Sequence, residues 1–220
     1  PIIAWVEGDG FRDHVYVKRW DGVAWVQLGT TVDAATSESG SYPSMVIDGF
    51  GNPVVALTET VGENKNVYVK RWNGTTWVQL GSALDVDIRR GAFTPSLGMD
   101  TSGNLFVAWE EDNDVIEDIY VKRWNGTSWQ QLGGALDVNR PASTEAPSLA
   151  IDNTGTPVVA WQEGPFEQKK VYVKRWTGSS WSQVGTSSLN ISASQSAEFP
   201  FLVIDSMNRP MVAWHEGSVS

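Results

Sequence analysis

The chain has 220 residues, of which 41% are hydrophobic and 19% are charged, a composition typical of a globular protein with a sizeable core. Its formal net charge of -10 opposes binding to nucleic acid and to anionic lipid surfaces. No apolar run reaches the roughly 18 residues of a membrane-spanning helix, and the absence of cysteine excludes disulfides and thiolate metal sites. We therefore expect no nucleic-acid partner and no membrane insertion.

The sequence repeats itself along its whole length. It opens with PIIAWVEG, and the matching phrase PMVAWHEG begins at Pro210. The residue that opens each such phrase recurs at positions 1, 53, 105, 157 and 210. Self-similarity at a fixed period is the signature of a repeat protein. We expect residues 1–220 to form a single repeat domain.

Each repeat contains four short strand-like segments in a fixed order. In the repeat that begins at residue 147 they are PSLAID, PVVAWQE, VYVKRW and WSQVG. They are rich in β-branched and aromatic residues, and turn-forming residues separate them. No helical periodicity of about 3.6 residues is visible. The pattern predicts an all-β fold.

Two turns recur in each repeat. An Asp follows the first segment, and its carboxylate can accept hydrogen bonds from the turn backbone; these residues are Asp48, Asp100, Asp152 and Asp205. Between the third and fourth segments stand DGVA, NGTT, NGTS and TGSS, each with a Gly able to take the positive φ of a hairpin turn. The third and fourth segments are therefore predicted to form a hairpin.

Four-stranded units that are apolar on both faces must pack against two neighbours, which favours a β-propeller over a β-sandwich. We predict four blades of four antiparallel strands. The segments number seventeen, one more than four blades use, because both ends of the chain carry the same second strand. We expect strands from both termini to close one blade, with Phe199–Asp205 joining Val15–Gly29. The surplus strand then frays or pairs with another subunit.

Two phrases carry a resemblance to known families. RWNGTSWQQLGG (Arg123–Gly134) resembles the W-x-G-x-x-W-x-x-L-G phrase of bacterial propeller lectins, and IDNTGTPVVAW resembles the Asp-box in placing an Asp before a Gly turn. The spacing here is Asp-x-x-Gly, longer than the usual Asp-x-Gly. The chain as a whole resembles bacterial β-propeller repeats of the Kelch-like and Asp-box-like group. The resemblance implies a propeller and, with the lectins, sugar binding.

Tryptophans recur in the third and fourth segments of every repeat. Indole rings can stack on the apolar face of a sugar, which makes these residues the candidate ligand-binding set of a lectin. A Trp that recurs in every blade is equally suited to packing between blades, and this is the interpretation we favour. The residues are Trp20, Trp25, Trp72, Trp77, Trp124, Trp129, Trp176 and Trp181.

Charged residues also recur within the strands. The third segment carries Lys-Arg, and the second ends in a Glu, so we expect structural ion pairs such as Glu163 with Arg175. Repeated arginines also raise the possibility of a sialidase-like hydrolase. Such an enzyme needs acids and bases that converge from different blades, whereas these arginines are equivalent and point to separate places. We therefore expect no catalytic residue and no enzyme.

Two further features carry residue types that can bind metal ions. The acidic loop EEDNDVIED (Glu110–Asp118) lacks the Gly spacing of an EF-hand loop, and His14 and His215 have no third ligand in view. We expect no metal and no cofactor.

Segments that vary between repeats are the expected place of recognition, since rigid scaffolds display their binding residues on loops. These are the loops Gly8–His14, Thr60–Asn66, Asp112–Asp118 and Gly164–Lys170 and the connections Thr30–Ser41, Ser82–Thr94, Gly134–Ala146 and Thr186–Phe199. The sequence predicts a non-catalytic extracellular or cell-surface module for binding or assembly, self-assembling through its surplus strand. The alternatives are a carbohydrate-binding lectin and a sialidase-like glycan hydrolase. Expected partners are a glycan, a surface protein or further copies of the chain, as a homo-oligomer or filament.

Overall fold

The computed structural model describes residues 1–33, 39–112 and 115–217, and the regular elements in these residues are all β-strands. In chain order the strands are β1 (Ile2–Gly8), β2 (Asp13–Trp20), β3 (Trp25–Gln27), β4 (Gly40–Ile47), β5 (Pro53–Val61), β6 (Asn64–Trp72), β7 (Trp77–Gln79), β8 (Ala92–Met99), β9 (Leu105–Asp112), β10 (Glu117–Trp124), β11 (Trp129–Gln131), β12 (Thr144–Ile151), β13 (Pro157–Glu163), β14 (Lys170–Trp176), β15 (Trp181–Gln183), β16 (Ser196–Ile204) and β17 (Pro210–Gly217). The described part of the chain contains no helix long and apolar enough to cross a bilayer.

The strands form five antiparallel sheets, numbered here in chain order. Sheets 2, 3 and 4 have four strands each (β4–β7, β8–β11 and β12–β15), sheet 1 has three (β1–β3) and sheet 5 has two (β16 and β17). The first strands of successive four-stranded sheets lie side by side, and each sheet packs face to face with the next. This is the layout of propeller blades, so the predicted all-β propeller fold is confirmed, while the predicted number of four blades stays a prediction.

The pairing at the two ends of the chain differs from the expected closing blade. β1 pairs with β2, matching Trp5 to Tyr16, and β17 pairs with β16, matching Ala213 to Phe201. Each of the two matching end phrases therefore lies in the second-strand position of its own sheet. In the described residues Phe199–Asp205 does not join Val15–Gly29, and the closure by strands from both termini is corrected accordingly.

The predicted Asp turns are present between the first and second strands. Asp152 Oδ1 accepts from the N–H groups of Thr154 and Thr156, at 2.9 and 3.0 Å. Asp48, Asp100 and Asp205 make the same pair of bonds to their own turns. One carboxylate oxygen thus satisfies two turn donors, which fixes the tight reversal.

Each first strand is interrupted by a bulge. Its central residue has a positive φ and precedes a proline, and the pairing register with the second strand shifts at this point. The bulge residues are Tyr42, Thr94, Ala146 and Phe199. Because proline has no N–H to donate, it is tolerated where the hydrogen-bond ladder is already broken.

A repeated contact joins each sheet to the one before it. The indole N–H groups of Trp77, Trp129 and Trp181 donate to the carbonyls of Leu28, Leu80 and Leu132 in the preceding sheet, at 2.9, 2.7 and 2.7 Å. The glycine after each of these leucines has φ near +74° (73° to 75°), and the next sheet's other Trp lies against it. The W-x-x-L-G phrase therefore forms a contact that joins neighbouring sheets.

The charged residues of the strands make different partners from those expected. Arg175 pairs with Asp152 of the neighbouring turn, and Arg71 lies 3.7 Å from Asp48, so the arginines contact turn aspartates and not the repeated glutamates. Lys122 and Lys174 donate to backbone carbonyls of the connection that follows the preceding sheet, at Leu84 and Leu136. The arginines of the strands form ion pairs, as predicted, but the predicted pair of Glu163 with Arg175 is wrong.

Sheet 2 carries a Leu where its neighbours carry Trp. Leu57 is fully buried, as are Trp109 and Trp161 at the same position. In sheets 3 and 4 the lysine of the third strand lies over that indole, whereas in sheet 2 Lys70 forms a buried ion pair with Glu59. The loss of the aromatic ring is thus accompanied by a change of partner for the lysine.

A half-buried acid in the connection after sheet 2, Asp85, has one oxygen without the partner that its counterpart in sheet 1 has. Asp33, Asp85 and Asn190 occupy equivalent positions, and each accepts from a third-strand N–H. The second oxygen of Asp33 binds His14 at 2.8 Å, while Oδ2 of Asp85 is buried and finds no hydrogen-bond partner in the described residues. Burial raises the pKa of Asp85 from 3.8 to about 6.

Replacing Asp85 by Asn is expected to stabilise the protein at neutral pH. The folded state binds this proton more tightly than the unfolded chain, so Asp85 costs stability as the pH rises from about 4 through about 6. Its partial exposure reduces the expected gain for Asp85→Asn to about 1 kcal/mol at about pH 7.5. Urea unfolding at about pH 5 and about pH 7.5 measures the difference.

Asp33→Asn is the matched control, because Asp33 has its His14 partner and should lose stability on the same change. Asn190 already makes the required backbone bond with an amide oxygen, so Asp85→Asn preserves that bond. An Asp85→Asn variant with unchanged stability and an unchanged pH dependence would contradict the prediction.

Candidate functional site

The eight predicted tryptophans form four cross-strand pairs at the hairpins. Their ring centroids lie 5.2 to 5.8 Å apart. Six of them, in sheets 2 to 4, are at the contacts between sheets, as described above. Trp20 and Trp25 of sheet 1 are 37% and 45% exposed. A sugar-stacking role for these residues stays a prediction, and only this pair offers substantial open ring surface.

A cleft lies at the edge of sheet 4, where the variable loops gather. It has a volume of about 450 Å³, within the range of small-ligand sites. One wall is the connection between sheets 3 and 4, from Asn139 to Glu145, and the other is the β13–β14 loop from Gly164 to Lys169. Both walls belong to the segments whose sequence varies between repeats.

A buried carboxylate holds the first wall in place. Glu163, at the end of β13, is 2% exposed and accepts from the N–H groups of Val138 and Asn139. It also accepts from the indole N–H of Trp161 at 3.0 Å. Asn139 in turn donates its side-chain amide to the Tyr172 hydroxyl at 2.9 Å. The connection is therefore fixed against sheet 4 from both its backbone and its side chain.

Two charged residues that line the cleft, Glu145 and Lys169, form an ion pair. The Lys169 ammonium pairs with the Glu145 carboxylate, and the residue is 7% exposed. Gln162 donates to the same carboxylate at 3.1 Å, and its oxygen accepts from the Phe199 N–H at 2.7 Å. Gln162 lies behind this pair and helps to fix the Glu145 carboxylate, so that the cleft presents both a cation and an anion.

An aromatic ring stands at the mouth of the cleft. Phe166 is 69% exposed, and its ring centroid lies 6.0 Å from the Lys169 ammonium. The loop that carries it is closed by a bond from the Gln168 N–H to the Pro165 carbonyl and tied to the opposite wall by a bond from Gly164 to Ser143. An exposed ring on an anchored loop is a platform for the apolar face of a ligand.

Acidic groups surround this end of sheets 3 and 4. Burial raises the pKa of Glu110, and the nearby Glu145 and Glu117 raise it further. Glu110 accepts from the Ala146 N–H, next to the cleft wall. Acidic side chains therefore lie close to one wall of the cleft, which is also lined by the Lys169 ammonium.

The sequence indicated the two walls and missed the residues within them. Glu145 and Lys169 stand 24 positions apart, so their pairing depends on the folding of two separate segments. Phe166 is a single aromatic residue in a variable loop, and this was the one signal available. The loop Asp112–Asp118 and the connection Thr30–Ser41, also considered, include residues 113–114 and 34–38, which lie outside the described residues.

No family model and no curated protein matches the sequence. The structure is similar to solved proteins at low identity. An endo-arabinase from Bacteroides thetaiotaomicron is 13% identical with a TM-score of 0.57, over 97% of this chain and 84% of the other. An Aleuria aurantia lectin variant in complex with Fucα1-6GlcNAc is 14% identical with a TM-score of 0.57, over 100% of this chain and 74% of the other.

A Hadza microbial sialidase is 15% identical with a TM-score of 0.59, and the match spans 92% of this chain but 47% of the sialidase. At these identities the similarity establishes the shared fold. The neighbours include propeller lectins, glycosidases and a polysaccharide lyase, and no Kelch or Asp-box family is shown.

These neighbours correct one expectation. From the equivalence of the repeated arginines we expect the chain not to be an enzyme, and that expectation is contradicted. An endo-arabinase and a sialidase share the fold, so a repeat architecture of this kind does not exclude catalysis.

Proposed function

We propose that the protein binds glycans, and that the cleft at the edge of sheet 4 is the binding site. One observation carries this proposal: an exposed aromatic ring, a carboxylate, an ammonium group and an amide converge on one cleft of about 450 Å³. Sugar recognition needs this combination, because a pyranose has an apolar face and a rim of hydroxyls.

The fold supports the same conclusion by similarity. The structural neighbours include a lectin solved with a fucosylated disaccharide, an endo-arabinase and a sialidase. We propose further that residues 1–220 act as one propeller domain outside the cell or at its surface, where glycans are displayed. Assembly with further copies is a second proposed role, favoured by the unpaired outer edges of β1 and β17 in the described structure.

The test is a glycan array followed by titration of a bound glycan to the wild type and two variants. Phe166→Ala removes the platform and is expected to weaken binding by about tenfold or more, since stacked aromatic contacts contribute about 1 kcal/mol beyond their area. Phe11→Ala is the matched control: Phe11 is 97% exposed in the equivalent loop of sheet 1.

Both phenylalanines are exposed, so neither variant should unfold the protein. Loss of affinity in Phe166→Ala with unchanged affinity in Phe11→Ala supports the proposed site. Equal affinity in all three proteins would show that the glycan binds elsewhere, and an array without a bound glycan would refute the function itself.

A further inference from the structure

The face of sheet 4 toward sheet 5 contains an apolar pocket. It has a volume of about 230 Å³ and is lined by Val173, Val184, Leu189, Pro210, Val212 and Trp214. At the earlier contacts between sheets, the corresponding surface is covered by the tryptophan pair of the next hairpin. Sheet 5 has no third or fourth strand in the described structure, so this surface stays open.

The glycine next to the pocket, Gly185, is also not covered by a tryptophan ring. Gly29, Gly81 and Gly133 each have a tryptophan ring of the following sheet within 2.9 to 3.2 Å of a Cβ position. Gly185 is their equivalent in sheet 4, with φ +87°, and has nothing within 4 Å. The pocket and Gly185 together form a complete but unoccupied receptor for a tryptophan hairpin.

The β2–β3 hairpin of sheet 1 carries the matching group. The rings of Trp20 and Trp25 pack edge to face, with centroids 5.8 Å apart, and both are partly exposed. The counterparts of Trp25 in sheets 2 to 4 donate an indole N–H to the carbonyls of Leu28, Leu80 and Leu132. The equivalent carbonyl in sheet 4 belongs to Val184, which lines the pocket.

We propose that the β2–β3 hairpin of one chain docks beside β17 of a second copy and fills this pocket. The contact is head-to-tail: it builds a four-stranded blade from β16 and β17 of one copy and β2 and β3 of the other. A second copy is the occupant because its hairpin has the register, the ring pair and the donors that three contacts within this chain already use. The proposal is independent of glycan binding.

Exposed apolar residues on the other face of sheet 5 would also be covered in this arrangement. Met211 of β17 and Val203 of β16 are 52% and 39% exposed. In sheet 2 the equivalent residues, Val54 and Val46, pack against sheet 3. Once β2 of the second copy lies beside β17, Met211 and Val203 face that copy's sheet 2 and become covered.

The exchange of strands is nearly balanced in hydrogen bonds. β1 and β17 occupy the same position relative to the hairpin, so β2 gives up its pairing with β1 and gains the equivalent pairing with β17. The net gain is apolar burial at the pocket. One repeated bond is missing: Ser44, Ser96 and Ser148 accept from the next first strand, whereas Phe201 stands at that position in β16.

Light scattering of the purified chain over a range of concentrations tests the proposal. Trp25→Ala removes the docking ring and leaves the pocket intact, and Val184→Trp fills the pocket and leaves the ring intact. Each variant alone is expected to lower the association constant by about tenfold or more. Phe11→Ala is the control for a nonspecific loss of exposed aromatic surface.

Mixing the two variants gives the sharpest readout, since each then supplies what the other lacks and a complex of two chains should form. If the wild type has the mass of one chain at every concentration, the proposal is wrong. This result would also be obtained if the hairpin filled the pocket of its own chain. Association that survives in Trp25→Ala would also overturn it. If Val184→Trp does not fold, the comparison of Trp25→Ala with Phe11→Ala still tests the proposal.

Discussion

Replacing Glu163 by Ala is expected to lower the free energy of unfolding by about 3 to 5 kcal/mol and to weaken glycan binding with it. The buried carboxylate accepts from two backbone N–H groups of the connection and from the Trp161 indole. Each buried donor left without a partner costs about 1 to 3 kcal/mol. The sequence pattern assigns this glutamate to an arginine, and the structure assigns it to the backbone of the preceding connection.

Urea unfolding and glycan titration measure the two effects on the same preparation. Glu63→Ala is the control, because Glu63 is exposed in the equivalent loop of sheet 2, outside the cleft, and should change neither quantity. Glu163→Gln retains one acceptor and should lie between Ala and the wild type. A Glu163→Ala variant with wild-type stability would show that the connection is held by other contacts.

The second large effect is expected at Gly81. Gly81→Ala should destabilise the protein by about 2 to 4 kcal/mol, because φ is +75° and the new Cβ would lie 2.9 Å from the Trp124 ring. The Trp124 ring cannot move away freely, because it packs against Trp129, whose indole N–H is hydrogen-bonded to the Leu80 carbonyl.

Gly185→Ala separates the two causes. Gly185 has φ +87° and no neighbour within 4 Å, so at low protein concentration this variant should cost only the backbone strain of about 1 to 2 kcal/mol. Thermal or urea unfolding of both variants gives the difference, which measures the contact between sheets. Equal losses at the two glycines would mean that the tryptophan contact contributes little.

Much of the fold could be predicted because the same turn and strand residues recur at the same positions in each repeat. The Asp turns, the Gly hairpins and the second strands that open at Pro53, Pro157 and Pro210 follow from local chemistry. Closure could not be predicted in this way. The two end phrases are interchangeable in sequence, so only three-dimensional pairing decides that β1 stays with β2 and β17 with β16.

The site was less accessible from sequence for a related physical reason. Repetition marks residues that fasten one sheet to the next, and the tryptophans of sheets 2 to 4 are of that kind. The cleft depends on residues that occur once, Phe166 and the Glu145–Lys169 pair, brought together by two loops. Variation between repeats indicated the loops, and the pairing within them required the fold.

The most direct test of the proposed function is a crystal structure of the protein with a glycan identified on the array. Our account predicts a sugar ring stacked on Phe166, with its hydroxyls within hydrogen-bond distance of Glu145, Lys169 or Asn139. A glycan bound on the exposed Trp20 and Trp25 pair, with the sheet 4 cleft empty, would contradict it.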